Sequence, residues 1–240
     1  MQADNGLITL FELASNLPTP FSPRTWATRL LLNYKQLPYK TIPVHFPDIR
    51  TVLPAAGAPP TSTNPLKYTV PAIIDGDKVI SDSRLIAEYL ESTYTQRPIP
   101  LLGAAEQEAM QAVVTPLRPL VIPSIVNILD ERDTVYFVET RRAMFGGKEL
   151  HEIAPPSQRP EMMQALETAL TKLSDFVGTP NQSGWVFGSN GPAYEDFELI
   201  GWFMWLKVAG PSEVWERVFT LNDGRWGALM VAAEPYMRVE

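Results

Sequence analysis

Thr69-Val70-Pro71-Ala72-Ile73-Ile74-Asp75-Gly76-Asp77-Lys78-Val79-Ile80-Ser81-Asp82-Ser83 is the stretch that decides the fold of this chain. An Asp-Gly pair between two short apolar runs predicts a β-hairpin, with Ala72-Ile73-Ile74 turning back into Lys78-Val79-Ile80. The Ser81-Asp82-Ser83 cluster supplies capping side chains, and the pattern from Arg84 to Tyr94 is helical. A proline at the mouth of a strand cannot donate to the sheet ladder, so another reason must place Pro71 there. A cis peptide is one such reason, because it turns the backbone N–H and C=O of Val70 outward. Two backbone groups and a helix N-terminus then face the same way. Together they form a socket for the backbone and carboxylate of a small peptide.

Upstream of the hairpin, strands and helices alternate. Leu7 to Leu13 reads as a strand, and Pro18, Pro20 and Pro23 mark a loop. Pro23 suits the first position of a helix capped by Ser22, and Trp26, Leu30, Leu31 and Tyr34 continue it at helical spacing. Leu37-Pro38-Tyr39 ends that helix, Lys40 to Phe46 is a second strand, and Pro47 to Pro65 is a long loop or a short broken helix. Downstream, Thr95 to Pro100 breaks the pattern, and strand alternation stops. Helices are expected from Ala104 to about Ile128, bent by Pro116, Pro119 and Pro123, and from Asp133 to Phe145, closed by Gly146-Gly147. Further helices are expected over Pro160 to Val177, over the almost wholly apolar Tyr194 to Val208, and in two shorter pieces around Val214 to Leu221 and Trp226 to Ala233. The fold class is α/β plus all-α: a small mixed sheet over residues 1–94, a linker over 95–103, and a helical domain over 104–240.

Composition narrows the function. A chain of 240 residues, 45% hydrophobic, buries a core with ease. A net charge of −7 without a Lys or Arg run leaves no electrostatic footprint for nucleic acid or anionic lipid. No uninterrupted apolar stretch reaches the ~18 residues of a membrane span. The opening Met1-Gln2-Ala3-Asp4-Asn5-Gly6 lacks a signal-peptide pattern, so cytosol is the expected address. Cys is absent, which removes disulfides, zinc-thiolate sites and protein-thiol chemistry. His45 and His151 lie far apart with no metal-ligand spacing, so no metal site is expected and each reads as a surface or hydrogen-bonded histidine.

These motifs resemble the cytosolic glutathione transferases over nearly the whole chain. Thr69-Val70-Pro71-Ala72-Ile73 sits where that family carries its cis-proline, with Asn64-Pro65 ahead of it. Asp82-Ser83-Arg84-Leu85-Ile86-Ala87-Glu88-Tyr89-Leu90 is similar to the family's acidic-Ser pair leading into a helix. Ser22-Pro23 resembles the active-site segment of the serine classes. Phe21-Ser22-Pro23-Arg24-Thr25-Trp26-Ala27-Thr28-Arg29 and Tyr136-Phe137-Val138-Glu139-Thr140-Arg141-Arg142 resemble the fungal etherase-like FuA class and bacterial lignin β-etherases. The resemblance implies a thioredoxin-like N-terminal domain, a C-terminal helical bundle, glutathione as co-substrate and a homodimer.

On that resemblance Ser22 is the catalytic residue, its hydroxyl donating to the glutathione sulfur, although serine then proline also opens any helix well. Ser83 is implied to hold the γ-glutamyl carboxylate, Asp82 the ammonium group, and the Val70 backbone the cysteinyl residue. Arg24, one turn into the first helix, adds positive charge near the thiolate, and Lys67 meets the glycyl carboxylate. Thr69 departs from classes that place a lysine there. Ala193 departs from the Ser or Thr that usually opens the bundle helix three residues before Asp196, at an expected cost of about 1 kcal/mol to the helix start. Pro119, Pro123, Tyr136, Phe137, Met144 and Trp205 are candidates for the wall of a hydrophobic second-substrate pocket. The expected activity is transfer of glutathione to hydrophobic aromatic electrophiles or ethers. The alternatives are a ligandin that carries aromatic compounds and a structural transferase-like domain. Glutaredoxin chemistry needs a cysteine and is excluded.

Overall fold

The computed structural model describes residues 6–63 and 66–239, so Asn64-Pro65 lies outside the described residues. A four-stranded sheet runs in the order β2-β1-β3-β4, with β1 (Ile8–Leu13) parallel to β2 (Tyr39–Val44). The hairpin strands β3 (Ala72–Asp75) and β4 (Lys78–Ser81) run antiparallel, with β3 also antiparallel to β1. Alternation along β1 buries both faces: Ile8 and Leu10 join the main core with α1 (Pro23–Tyr34) and α3 (Ser83–Thr93), while Phe11 meets Val44, Leu53 and Ala72 on the other side. The proline-rich stretch after β2 holds a 3-10 turn, Phe46–Asp48, and the short α2, Ile49–Ala55, with Pro54 inside it. This is the thioredoxin-like arrangement, and among the described residues helices alone follow it.

The helical part comprises α4 (Ala104–Val121), α5 (Glu131–Met144), α6 (Leu150–Ile153), α7 (Arg159–Val177), α8 (Tyr194–Ala209) and α9 (Ser212–Ala233). Pro116 and Pro119 lie inside α4, which gives way to a 3-10 turn, Ile122–Ile128, where Pro123 removes a further backbone donor. The run Ala104–Ile128 is long and apolar enough to cross a bilayer by length and composition, although Glu106, Glu108 and Arg118 interrupt it, so it holds no uninterrupted apolar span. In the fold it packs against α7 and α8 as a core helix. The two short C-terminal helices are present as α9, bent where Asn222, Asp223 and Gly224 take φ of 51°, 57° and 76°.

The apolar α8 is the axis of the molecule and lies along α1 and α9. Its approach to α1 depends on Gly201: a Cβ there would stand 2.2 Å from the Pro23 carbonyl oxygen. At the start of α8, Ala193 offers no hydroxyl, but Asp196 accepts from the backbone N–H groups of Val186, Phe187, Gly188 and Ala193 at 2.7–3.1 Å. One carboxylate thus organises the loop before the helix as well as its N-terminus. Burial pushes the Asp196 carboxyl up to about 6 against the pull of those four donors.

A polar clasp joins the sheet to the bundle. His45 Nδ1 lies 2.7 Å from Asp133 Oδ2, and Asp133 Oδ1 accepts from the Phe46 N–H at 2.7 Å. His45 is therefore hydrogen-bonded, as expected of it. With Asp130 these residues form the one His/carboxylate group of metal-binding spacing among the described residues.

Candidate active site

The chain from β1 to α1 is pinned where the Trp26 indole donates to the Pro20 carbonyl at 2.7 Å. Ser22 then takes the N-cap position of α1 in extended conformation, and Pro23 supplies the first helical residue. The Ser22 side chain makes no capping hydrogen bond. Its Oγ instead accepts from Thr25 Oγ1 at 3.1 Å, which leaves the Ser22 proton available for another acceptor. Ser22 is buried, and it lines a cavity of about 170 Å³ with Phe137, Trp202, Trp205, Arg118 and Arg141.

The hairpin and α3 build the second half of the site. The Val70-Pro71 peptide is cis. Asp82 caps α3, accepting from the Arg84 N–H at 2.8 Å and the Leu85 N–H at 3.2 Å. Its φ of 79° is left-handed, a conformation costing an L-residue about 1–2 kcal/mol. The segment is held from the bundle: Tyr194 donates to the Ser83 carbonyl at 2.8 Å, and Arg84 pairs with buried Glu195 at 2.6 Å and reaches the Leu102 carbonyl at 2.8 Å. Val70, Pro71, Asp82 and Ser83 line one cavity of about 960 Å³, which Arg24 shares. Lys67 is exposed and lines an adjoining cavity of about 490 Å³ with Thr69 and Val70.

The structure therefore brings Arg24, Val70, Asp82 and Ser83 together. Ser22 stands in the neighbouring cavity, whose shared wall is Arg118, Arg141 and Trp202. Arg24 is ion-paired with Glu198 on α8 and lies 5.6 Å from the Trp202 ring centre. Burial raises the Glu198 carboxyl, and Arg24 opposes that shift. Of the expected pocket residues, Tyr136 lines the cavity of Lys67, and Phe137 and Trp205 that of Ser22; Pro119, Pro123 and Met144 line none of the three.

Thr25, Glu198, Arg118, Arg141 and Trp202 escaped assignment by sequence. Thr25 and Arg141 stand inside motifs already named, while Glu198, Arg118 and Trp202 become visible only once the helices are packed. Arg141 lies 4.3 Å from the Phe137 ring centre and donates to Thr140 Oγ1 at 3.0 Å. Burial, and then the nearby Arg118 charge, push its guanidinium down to about 10.

A thioredoxin-like sheet, a cis-proline beside a capped helix and a helical domain define the class. The family model described as glutathione S-transferase, N-terminal domain, matches residues 21–93, and that described as glutathione S-transferase, C-terminal domain, matches residues 102–236. The chain belongs to the glutathione S-transferase family, whose enzymes use glutathione as co-substrate. It is 29% identical to the glutathione S-transferase-like protein ustS of Aspergillus flavus, over 95% of this chain and 90% of that protein. A glutathione S-transferase of Ceriporiopsis subvermispora, solved in complex with glutathione, superposes with a TM-score of 0.90 at 33% identity, covering 98% of this chain and 99% of that one. Glutathione transferase GSTFuA3 of Phanerochaete chrysosporium superposes with a TM-score of 0.86 at 31% identity, covering 98% of each chain.

Proposed function

We propose that this enzyme transfers glutathione to aromatic electrophiles or ethers, with Ser22 as the catalytic residue. The observation that carries the reading is the Ser22 hydroxyl: it sits at the N-terminus of α1, is not used as a cap, and accepts from Thr25 while keeping its own proton to donate. A free thiol has a pKa of about 8.5, and holding it two units lower requires about 2.7 kcal/mol of preference for the thiolate. A hydrogen bond to a charged acceptor contributes about 1.5–3 kcal/mol, and a helix N-terminus about 0.3–1 kcal/mol. The two together cover the requirement. The thiolate then forms a carbon–sulfur bond at the electrophilic carbon, halide or aryloxide leaves with its electron pair, and the thiol proton goes to solvent.

In this reading the peptide lies from Asp82-Ser83, which hold its γ-glutamyl end, past the Val70 backbone to Lys67 at the glycyl carboxylate. Their shared cavity walls support that course. Arg24 has its charge neutralised by Glu198, which assigns it to shaping the wall beneath Trp202 rather than to the thiolate. A cytosolic homodimer belongs to the same reading. Turnover of chlorodinitrobenzene by wild type and Ser22→Ala tests it: the variant should lose about tenfold or more. Wild type that binds aromatic compounds without turning over would instead make the protein a ligandin.

A further inference from the structure

We propose that the second substrate is an aromatic compound bearing a carboxylate, and that Arg118 and Arg141 bind that carboxylate. The inference rests on the transferase reading and names the substrate class of the same site. α4 and α5 each bring one arginine to the cavity beside Ser22, whose remaining wall is apolar or aromatic apart from Ser22 itself and contains no acid. Among the described residues neither arginine has an acidic partner. The polar contact of Arg118 is Met144 Sδ at 3.6 Å, and that of Arg141 is Thr140 Oγ1. The contrast with the next cavity is direct: there Arg24 is paired with Glu198 and Arg84 with Glu195.

Two guanidinium groups held near one another in an apolar wall repel, and partial burial leaves their charge poorly solvated. Burial and the Arg118 charge already destabilise the charged form of Arg141. A carboxylate relieves both, and the planar fork of arginine matches its two oxygens. A further donor is at hand: Trp202, 9% exposed, has a buried indole N–H without an acceptor and lines the same cavity. Phe137 and Trp205 supply flat surface for the ring. Arg141 alone lines all three cavities, so the carboxylate it meets could belong either to glutathione or to the second substrate. Lys67 and Arg50, solvent-exposed at the outer cavity, can serve the glycyl carboxylate, leaving the inner pair for the substrate.

The test compares a chlorodinitrobenzoate with the uncharged chlorodinitrobenzamide of the same substitution pattern, using wild type, Arg118→Gln and Arg141→Gln. Wild type should prefer the benzoate by about tenfold or more in kcat/KM, and each variant should cut that preference to about threefold or less while KM for glutathione stays within about twofold. Arg118→Gln, on the less enclosed side chain, carries the test if Arg141→Gln does not fold. Absence of preference in wild type overturns the proposal, as does a preference that survives in the variants. A glutathione KM that rises tenfold with the preference intact also overturns it, by giving the arginines to glutathione. Calorimetry with unreactive dinitrobenzoate and dinitrobenzamide reads the site without turnover. Selective benzoate binding by an inactive wild type would support the anion site while defeating the transferase reading.

Discussion

Replacing Gly201 by alanine should damage catalysis from outside the site. The added methyl would lie 2.2 Å from the Pro23 carbonyl oxygen and 3.0 Å from its carbon, against backbone rather than a side chain that can swing away. Reaching an ordinary contact moves α8 and the first turn of α1 apart by roughly 1 Å, and Ser22 is the residue next to Pro23. Overpacking of this kind costs about 1–3 kcal/mol, while alanine in place of glycine within a helix returns up to about 1 kcal/mol. The net expectation is a loss of about 1–2 kcal/mol in urea unfolding. A displacement of that size at a reacting group costs about 100-fold, so kcat with chlorodinitrobenzene should fall far more than stability alone explains. On the proposed binding mode, with the γ-glutamyl end at Asp82-Ser83, glutathione affinity should change little. A Gly201→Ala protein that is more stable than wild type and equally active would refute the reasoning, because it would mean the helices do not meet at this point.

Two further outcomes follow from the packing around the site. Tyr194→Phe removes the bond that holds the Ser83 carbonyl at 2.8 Å, so calorimetry should show weaker glutathione binding by a few-fold, with about 1 kcal/mol of stability lost; unchanged affinity would show that Ser83 needs no support from α8. The Asp196 carboxyl is pushed up to about 6 from an ordinary 3.8, so its protonated form is favoured in the fold. Its contribution to stability is greatest below the unfolded value and is lost as pH rises through 6, by up to about 3 kcal/mol. The stability advantage of wild type over Asp196→Asn should therefore narrow between pH 4 and pH 7, and a gap that widens would reverse the assignment.

How much could be read in advance depended on how local each signal is. The hairpin, its cis-proline and the Asp82 cap lie within one short stretch, and their chemistry is written in adjacent residues. Ser22 and Pro23 announce a helix start in the same way, but only the structure shows that the Ser22 hydroxyl is not a cap. Arg24 reads as a free charge in sequence because its partner, Glu198, is 174 residues away. Arg118 and Arg141 look like ordinary solvated helix charges until α4 and α5 turn both toward one cavity. Ala193 is the reverse case: the missing hydroxyl predicts a weakened helix start, yet Asp196 collects four backbone donors, three of them from the preceding loop. α6 was not foreseen, since four residues carry no periodicity.

The central claim is that the proton of Ser22 stabilises a thiolate carried in by glutathione. The ultraviolet absorbance of enzyme-bound thiolate, titrated against pH in wild type and Ser22→Ala, measures this without a second substrate. Wild type should ionise bound glutathione about two units below the ~8.5 of a free thiol, and Ser22→Ala should raise that value by about one unit or more. The same titration midpoint in both proteins would contradict the account.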